Sequence, residues 1–426
     1  MRTASRHAVV IGGGFAGLLA ARALSDTFAR VTVIERDPQP RPDGHRRGAP
    51  QTPHPHGLLQ RGATTIEALL PGIGDELRAR GAALFDFGEG ARILFPAGWA
   101  PVGPTGVGHL ACSRALLEGT IRERVTGLPA VDLVAATASA VLWTGHRATG
   151  VRDSSGRTFP ADLVVDASGR TTRLAGWLDQ GGFPSPPVTR VLAGLSYVTR
   201  RFQGTPAAEW HMSAEATYAP TIRRGGLVQV IEGQQTLVTL IGANGTRPPH
   251  DQDGFRAHAA ALRNPHLLES IDRGTPVGKP HRYGGLDNRW NGYHRAPRWP
   301  DNVIALGDSV AALNPIYGHG LTVCALQALA LRDLLRHGPL PGFAGNFQRE
   351  AAGIVRVPWL LAALSDTAWH TERRPLGMHT ATLALRRVLD LVPSHPEIYR
   401  DLVAVQNLLA HPVILAPATL TRRPRT

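Results

Sequence analysis

The sequence predicts an α/β chain, a parallel sheet interleaved with an antiparallel one and followed by a helical C-terminus. Three observations predict it. Ala8-Val-Val-Ile11 runs into Gly12-Gly-Gly-Phe-Ala-Gly17 and then an apolar helix. Far along the chain, Val303 to Leu306 is a second kind of short aliphatic run, ending at Gly307-Asp308 before a Pro/Gly loop and a long apolar helix. Such runs mark strands buried on both faces. Between them lie alternating runs bounded by turn residues, the pattern of antiparallel strands.

The N-terminal strand leads to a glycine turn and a helix from about Leu18 to Leu24. This is G-x-G-x-x-G with strand before and helix after, the context of a Rossmann-like dinucleotide site. Gly12 makes the turn, Gly14 lets a pyrophosphate approach the backbone, and Gly17 lets helix pack on strand. Phe15 and Ala16 lie within the motif. The next strand, Val31 to Ile34, ends in Glu35, placed to take a ribose diol. The motif does not choose between FAD and NAD.

Residues 36–56 hold too many Pro and Gly for helix or central strand. A loop this long in a compact domain is functional or disordered. Arg46, Arg47, Gln51, His54 and His56 supply groups to reach a cofactor, while His54 and His56 have no Cys, Asp or Glu cluster beside them to make a metal site. A helix is expected over Gly57 to Leu70. Ser113 reads as an N-cap with Arg114 on the first turn of the next helix. Strands follow over Val131 to Val134, Ala138 to Trp143, Ala148 to Arg152 and Thr158 to Val165, the last ending in Asp166-Ala-Ser-Gly-Arg170.

Val191 to Arg201, Gly226 to Ile231 and Gln235 to Ile241 form an antiparallel sheet able to cover a ligand. Tyr197, Trp210, His56 and Tyr317 are candidate substrate contacts, with plain core packing the competing reading for the aromatics. Asp308 places a carboxylate at the end of a core strand, the edge where open α/β sheets bind ligands. The helix after Pro315 can offer free N–H groups and partial positive charge. The expected division is a discontinuous cofactor domain (1–84, 105–184, 291–340), a substrate domain (85–104, 185–290) and a helical region (341–426).

Composition narrows the classes. A net charge of +13 invites a nucleic-acid reading, but Lys279 is the only lysine, and the arginines are scattered without a basic stripe interleaved with aromatics. No nucleic-acid partner is expected. Cys112 and Cys324 are too few for a disulfide framework and suit a reducing cytoplasm. No run of about 18 apolar residues predicts a transmembrane span, and no signal peptide is expected.

Taken together, Gly12-Gly-Gly-Phe-Ala-Gly17 with Glu35-Arg36, Asp166-Ala-Ser-Gly-Arg170, and Gly307-Asp308 with Pro315…Gly318-His-Gly320 resemble the FAD-dependent class A monooxygenases of the para-hydroxybenzoate hydroxylase fold. Residues 46–56, Cys112-Ser-Arg-Ala-Leu-Leu117 and Asn314-Pro-Ile-Tyr-Gly-His-Gly320 look most like the flavin epoxidases of polyether antibiotic biosynthesis. The resemblance implies that Glu35 binds the adenosine ribose, that Arg36 lies near the adenine, and that Arg47 and Arg114 approach the dinucleotide. It implies that Asp308 meets the ribityl chain, and that Pro315, Gly318, His319, Gly320 and Leu321 pass along the flavin ring.

The implied chemistry is reduction of non-covalent FAD by NADPH or NADH, activation of O2 at flavin C4a, and transfer of one oxygen to a lipophilic polyene or prenylated intermediate. Alkene epoxidation is favoured because no catalytic base is evident near the flavin loop. Aromatic hydroxylation and a non-redox FAD-containing cyclase are the alternatives. A halogenase is disfavoured, since Lys279 sits in Gly278-Lys-Pro and no Trp-x-Trp pair occurs. Asp-Ala-Ser-Gly stands where many relatives begin Asp-Gly, and His319 where Gln is common.

Overall fold

The computed structural model describes residues 6–37, 46, 48–192, 194–204, 209–336, 342–369 and 377–416. Its centre is a five-stranded parallel sheet in the order Val303–Ala305, Leu163–Asp166, His7–Ile11, Arg30–Glu35, Val131–Ala135. The aliphatic runs end in step: Ile11 pairs with Asp166 and Ile34, and Asp166 with Ala305. Ile11, Glu35, Asp166 and the Gly307-Asp308 turn therefore share one sheet edge. Helices Phe15–Ser25 and His319–Arg336 pack on each other, and helix Arg114–Thr126 packs on the first. Their apolar faces join the sheet in one core that contains Val10, Leu18, Ile121, Ile304 and Leu331.

The expected strand over Thr158 to Val165 divides. Thr158–Pro160 pairs antiparallel with Arg147–Asp153, while Leu163–Asp166 belongs to the parallel sheet. Pro160 has no N–H to carry a ladder onward, and the Asp162 N–H reaches His7 O of the neighbouring sheet at 2.8 Å.

The second sheet has seven strands, ordered Thr275–Gly284, Ser196–Gln203, Gln235–Gly242, Arg224–Ile231, Met212–Glu215, Ala91–Phe95, Gly98–Trp99. Its pairings are antiparallel except that Met212–Glu215 runs parallel to Ala91–Phe95, a strand supplied by an earlier stretch of chain. Helix Phe343–Thr367 packs on Val303–Ala305 and on His319–Arg336. Helices Met378–Leu391 and Pro396–Gln406 cover the far end of the second sheet, where Val388, Leu391, Tyr399 and Val403 share a core with Phe95, Ala100 and Val107. Among the described residues no helix is long and apolar enough to cross a membrane.

Candidate active site: a charged cleft opening onto an apolar cavity

The cleft begins at the glycine turn. Gly12 has φ +99°, and a Cβ there would lie 2.5 Å from Ala167 O; a Cβ on Gly17 would lie 1.8 Å from Gly12 O. Side chains are thus barred by backbone. Gly14 is the N-cap of helix Phe15–Ser25 and provides no side-chain cap, so the first N–H groups of the helix face a cavity of about 330 Å³. A Cβ on Gly14 would have only Arg46 Nη2 nearby, at 3.8 Å. The free helix start and the open face favour an anion.

Charge along this wall is unbalanced. Glu35, buried at the strand end, accepts from Gly13 N at 2.8 Å and Asp37 N at 2.9 Å. Arg46 pairs with Glu35 at 3.4 Å and with Glu118. Arg114 and Arg122, one turn to either side of Glu118 on the same helix, lie 3.1 and 3.7 Å from its carboxylate. All three guanidiniums are buried. Burial first, then neighbouring Arg122, pulls Arg46 down to about 10, and burial also lowers Arg114 and Arg122. Buried charge held away from water requires compensation. Five arginines (Arg36, Arg46, Arg114, Arg170, Arg173) line the cleft against two carboxylates, Glu35 and Asp308, which fits a dianionic ligand.

Asp308 sits in the one-turn helix Gly307–Ser309 at the opposite wall. Gly307 has φ +68°, and a Cβ there would lie 2.7 Å from Ala16 Cβ, so strand end and glycine turn close on each other. Burial raises the Asp308 carboxyl, opposed by Arg170, Arg114 and Arg289. Asp166 plays a different part. It is fully buried and accepts from Ser168 N (3.1 Å), Ser168 Oγ (2.5 Å) and Thr172 Oγ1, which shapes the turn rather than the ligand wall.

A second cavity of about 430 Å³ adjoins the cleft, lined chiefly by apolar side chains such as Phe87, Ile93, Leu227, Ile241, Trp369 and Leu385. The two share His56, Gly57, Tyr283, Pro315 and Gly318. The shared loop is held from below: Tyr197 Oη donates to Asn314 Oδ1 at 2.9 Å, and Tyr317 Oη donates to Asp366 Oδ1 at 2.9 Å. At the junction the His56 ring donates from Nδ1 to His54 O at 2.7 Å, since a carbonyl can only accept. Its Nε2 is left as an acceptor. Burial, then Arg114, holds this histidine well below its usual range, so it stays neutral. Burial, then Asp366, pushes the Tyr317 phenol well up.

Comparison with known proteins settles the family. Protein Rv3254 of Mycobacterium tuberculosis strain ATCC 25618 / H37Rv is 33% identical over 388 residues, 85% of this chain and 81% of that protein. The chain belongs to the Rv3254 family. Residues 10–67 match the model of the NAD(P)-binding Rossmann-like domain. Among solved structures, the flavin-dependent brominase Bmp2 is similar with a TM-score of 0.68 at 14% identity, over 97% of this chain and 98% of that one. PqsL of Pseudomonas aeruginosa, described as a probable FAD-dependent monooxygenase, has a TM-score of 0.65 at 19% identity, over 85% and 98%. The Diels-Alderase PyrE3 of pyrroindomycin biosynthesis has 0.63 at 20%, over 95% and 80%. At these identities the likeness shows the fold, which is that of the flavoprotein monooxygenases.

In this member of the Rv3254 family, the residues singled out from sequence divide into groups. Gly12, Gly14, Phe15, Ala16, Glu35, Arg36, Arg114, Asp308, Pro315, Gly318, Gly320 and Leu321 line the charged cleft. Gly17 lies beneath it, against Gly12. Arg47 lies outside the described residues. His319 does not line the cleft: its ring is buried against helix Pro396–Gln406, 3.2 Å from Gln406 O, and burial pulls it down to about 4. Tyr197 and Tyr317 line the apolar cavity, and His56 lines both. Trp210 does not; it stacks on His266 at 5.0 Å within a core that includes Phe202 and Phe255. Bulk chose Trp210 as a candidate, and the same bulk makes it core.

Arg46 was expected to be within reach of a cofactor, whereas Arg170, Tyr283 and Asp366 were not among the proposed site residues. A signal existed for Arg46: Arg114, Glu118 and Arg122 recur every four residues, so one helix face presents a carboxylate between two guanidiniums. A third arginine from a facing loop is its natural partner. No sequence pattern points to Asp366, which reaches the site from helix Phe343–Thr367.

Proposed function

We propose that this chain is a FAD-dependent monooxygenase that uses NAD(P)H and O2 to oxygenate a lipophilic small molecule, by alkene epoxidation in preference to phenol hydroxylation. The observation that carries this is the apolar cavity meeting the charged cleft along Pro315–Gly318. The unbalanced guanidiniums and the uncapped helix start fit the FAD pyrophosphate, Glu35 fits a ribose diol, and Asp308 fits the ribityl hydroxyls. Bound and reduced FAD supplies the activation of O2. The chain supplies orientation and exclusion of water: Tyr197, Asn314 and Asp366 fix the loop, and the apolar walls dry the substrate. The preference for epoxidation rests on the junction, where neutral His56 is an acceptor and Tyr317 holds its proton. Burial makes the His56 imidazole a weak base, Tyr317 keeps its proton, and the Asp366 carboxylate is taken up by Tyr317, Asn314 and Asn288. None of them is suited to deprotonate a phenol at neutral pH.

The test is purification followed by turnover under 18O2. The expected protein is yellow and releases FAD on acid precipitation. With NADPH and geranylgeraniol as the probe, one 18O atom is expected in an epoxide, and 4-hydroxybenzoate is expected to turn over poorly. Efficient hydroxylation of 4-hydroxybenzoate sinks the epoxidase preference alone. Release of FMN, or of no flavin, sinks the whole assignment, and conversion without O2 on oxidised flavin replaces it with a cyclase.

A further inference from the structure

Three buried polar side chains of the apolar cavity lack hydrogen-bond partners among the described residues: both ring nitrogens of His109, Nε2 of Gln229 and Oη of Tyr399. They are 3%, 1% and 3% exposed. They come from separate elements, the strands Gly108–Ala111 and Arg224–Ile231 and the helix Pro396–Gln406. By contrast, Tyr197, Tyr317 and Glu215 on the same walls are satisfied, the last accepting from Asn264 N at 2.9 Å. Folded proteins leave few buried polar groups unpaired, and each one costs stability. Three on the walls of one cavity call for a common partner.

Geometry ties His109 to the reacting end. His109 packs between Phe85 and Phe87, with ring centroids 5.4 and 5.6 Å away. Phe87 also packs against the apolar cluster that contains Tyr399. A Cβ on Gly57 would touch His109 Cε1 at 3.4 Å, and Gly57 O lies 3.9 Å from the Cβ position of Gly318. His109 is thus separated from the Pro315–Gly318 loop by a single residue. Burial alone pulls its imidazole down to about 4, with no charged neighbour contributing, so the ring is neutral, one nitrogen donating and the other accepting. Gln229 Nε2 adds a donor. An uncharged group that both accepts and donates completes this set, since a neutral imidazole, an amide N–H and a phenol can pair with it without burying a new charge.

Resting on the monooxygenase reading and deepening it, we propose that His109, with Gln229 and Tyr399, is the specificity-determining patch of the cavity, and that the substrate is a lipophilic alcohol whose hydroxyl pairs with the His109 ring. The patch anchors the hydroxyl near the Pro315–Gly318 loop while the apolar remainder of the molecule lies along the cavity walls.

The experiment is equilibrium dialysis of the FAD-loaded protein with geraniol, geranyl methyl ether and myrcene. Geraniol is expected to bind about tenfold more tightly than myrcene, the worth of one well-made buried hydrogen bond, with the ether between them. His109→Leu is expected to bring the gap below threefold, and Gln229→Met and Tyr399→Phe to narrow it. His109→Leu is also expected to raise the ligand-free thermal midpoint, because it removes an unpaired polar group, whereas a structural histidine would lower it. Equal affinity for geraniol and myrcene overturns the proposal and assigns the patch to trapped water. A gap that persists in His109→Leu, or no geraniol binding at millimolar concentration, overturns it too. Should His109→Leu fail to fold, the wild-type comparison still decides. Loss of FAD would fail the monooxygenase reading instead, and dialysis judges the patch without a flavin signal.

Discussion

Asp366 is the buried carboxylate whose titration should be visible in stability. It is 1% exposed and accepts from Tyr317 Oη at 2.9 Å, from Asn314 Nδ2 at 3.1 Å and from Asn288 Nδ2. Burial raises it to about 6 from the ordinary 3.8, and the bonds from Asn314, Tyr317 and Asn288 oppose that rise. Between the two values the native state binds more protons than the unfolded chain, so stability falls as pH rises through this window. At ~1.36 kcal/mol per pH unit the gap corresponds to about 3 kcal/mol. Asp366→Asn abolishes the titration and turns one acceptor into a donor, a pH-independent penalty. The stability of the wild type relative to Asp366→Asn should therefore drop by about 3 kcal/mol between pH 3.5 and 7, measured by urea unfolding of both proteins across that range. A constant difference would refute the burial argument. A wild type that gains on the variant as pH rises would mean that the three donors outweigh burial.

Two further outcomes are expected at the cleft. Gly17→Ala should cost about 3 kcal/mol or more in thermal unfolding, because its Cβ position lies 1.8 Å from backbone oxygen, while Gly14→Ala, with 3.8 Å to a movable guanidinium, should cost under about 1 kcal/mol. Similar midpoints for the two would contradict the packing described. Asp308→Ala should weaken FAD binding about tenfold or more, and Cys324→Ala, from the same cleft, less than threefold; equal dissociation constants would remove Asp308 from the site.

Much of this arrangement was legible because it depends on short-range rules. A buried aliphatic run, a glycine turn barred to side chains, and Ser113 as a cap accepting from Leu116 N at 3.1 Å all leave marks on neighbouring residues. What was hidden depends on long-range packing. Pro160 divides one expected strand between two sheets, and that outcome is decided by His7, far away in sequence. His319 sits between two glycines of the loop, yet the helix start turns its ring toward Gln406 and away from the cleft. His109 is one histidine in a four-residue strand, and only the cavity beside it gives the ring meaning. The C-terminal helices are equally quiet in sequence, since apolar helical spacing does not say which surface they cover.

Those helices carry one more consequence. Gln406 donates from Nε2 to Tyr317 O at 2.6 Å and accepts at its own carbonyl from the His319 ring, while Asn407 Oδ1 receives the N–H of Gln60. The loop shared by the charged cleft and the apolar cavity is therefore latched by a helix 89 residues later. During synthesis, the strands and glycine turn of the cleft leave the ribosome well before this latch exists, and domains fold as they emerge. The nascent chain has a place for its dinucleotide before it has a closed room for a substrate. The enclosure of the apolar cavity is completed only when helix Pro396–Gln406 docks.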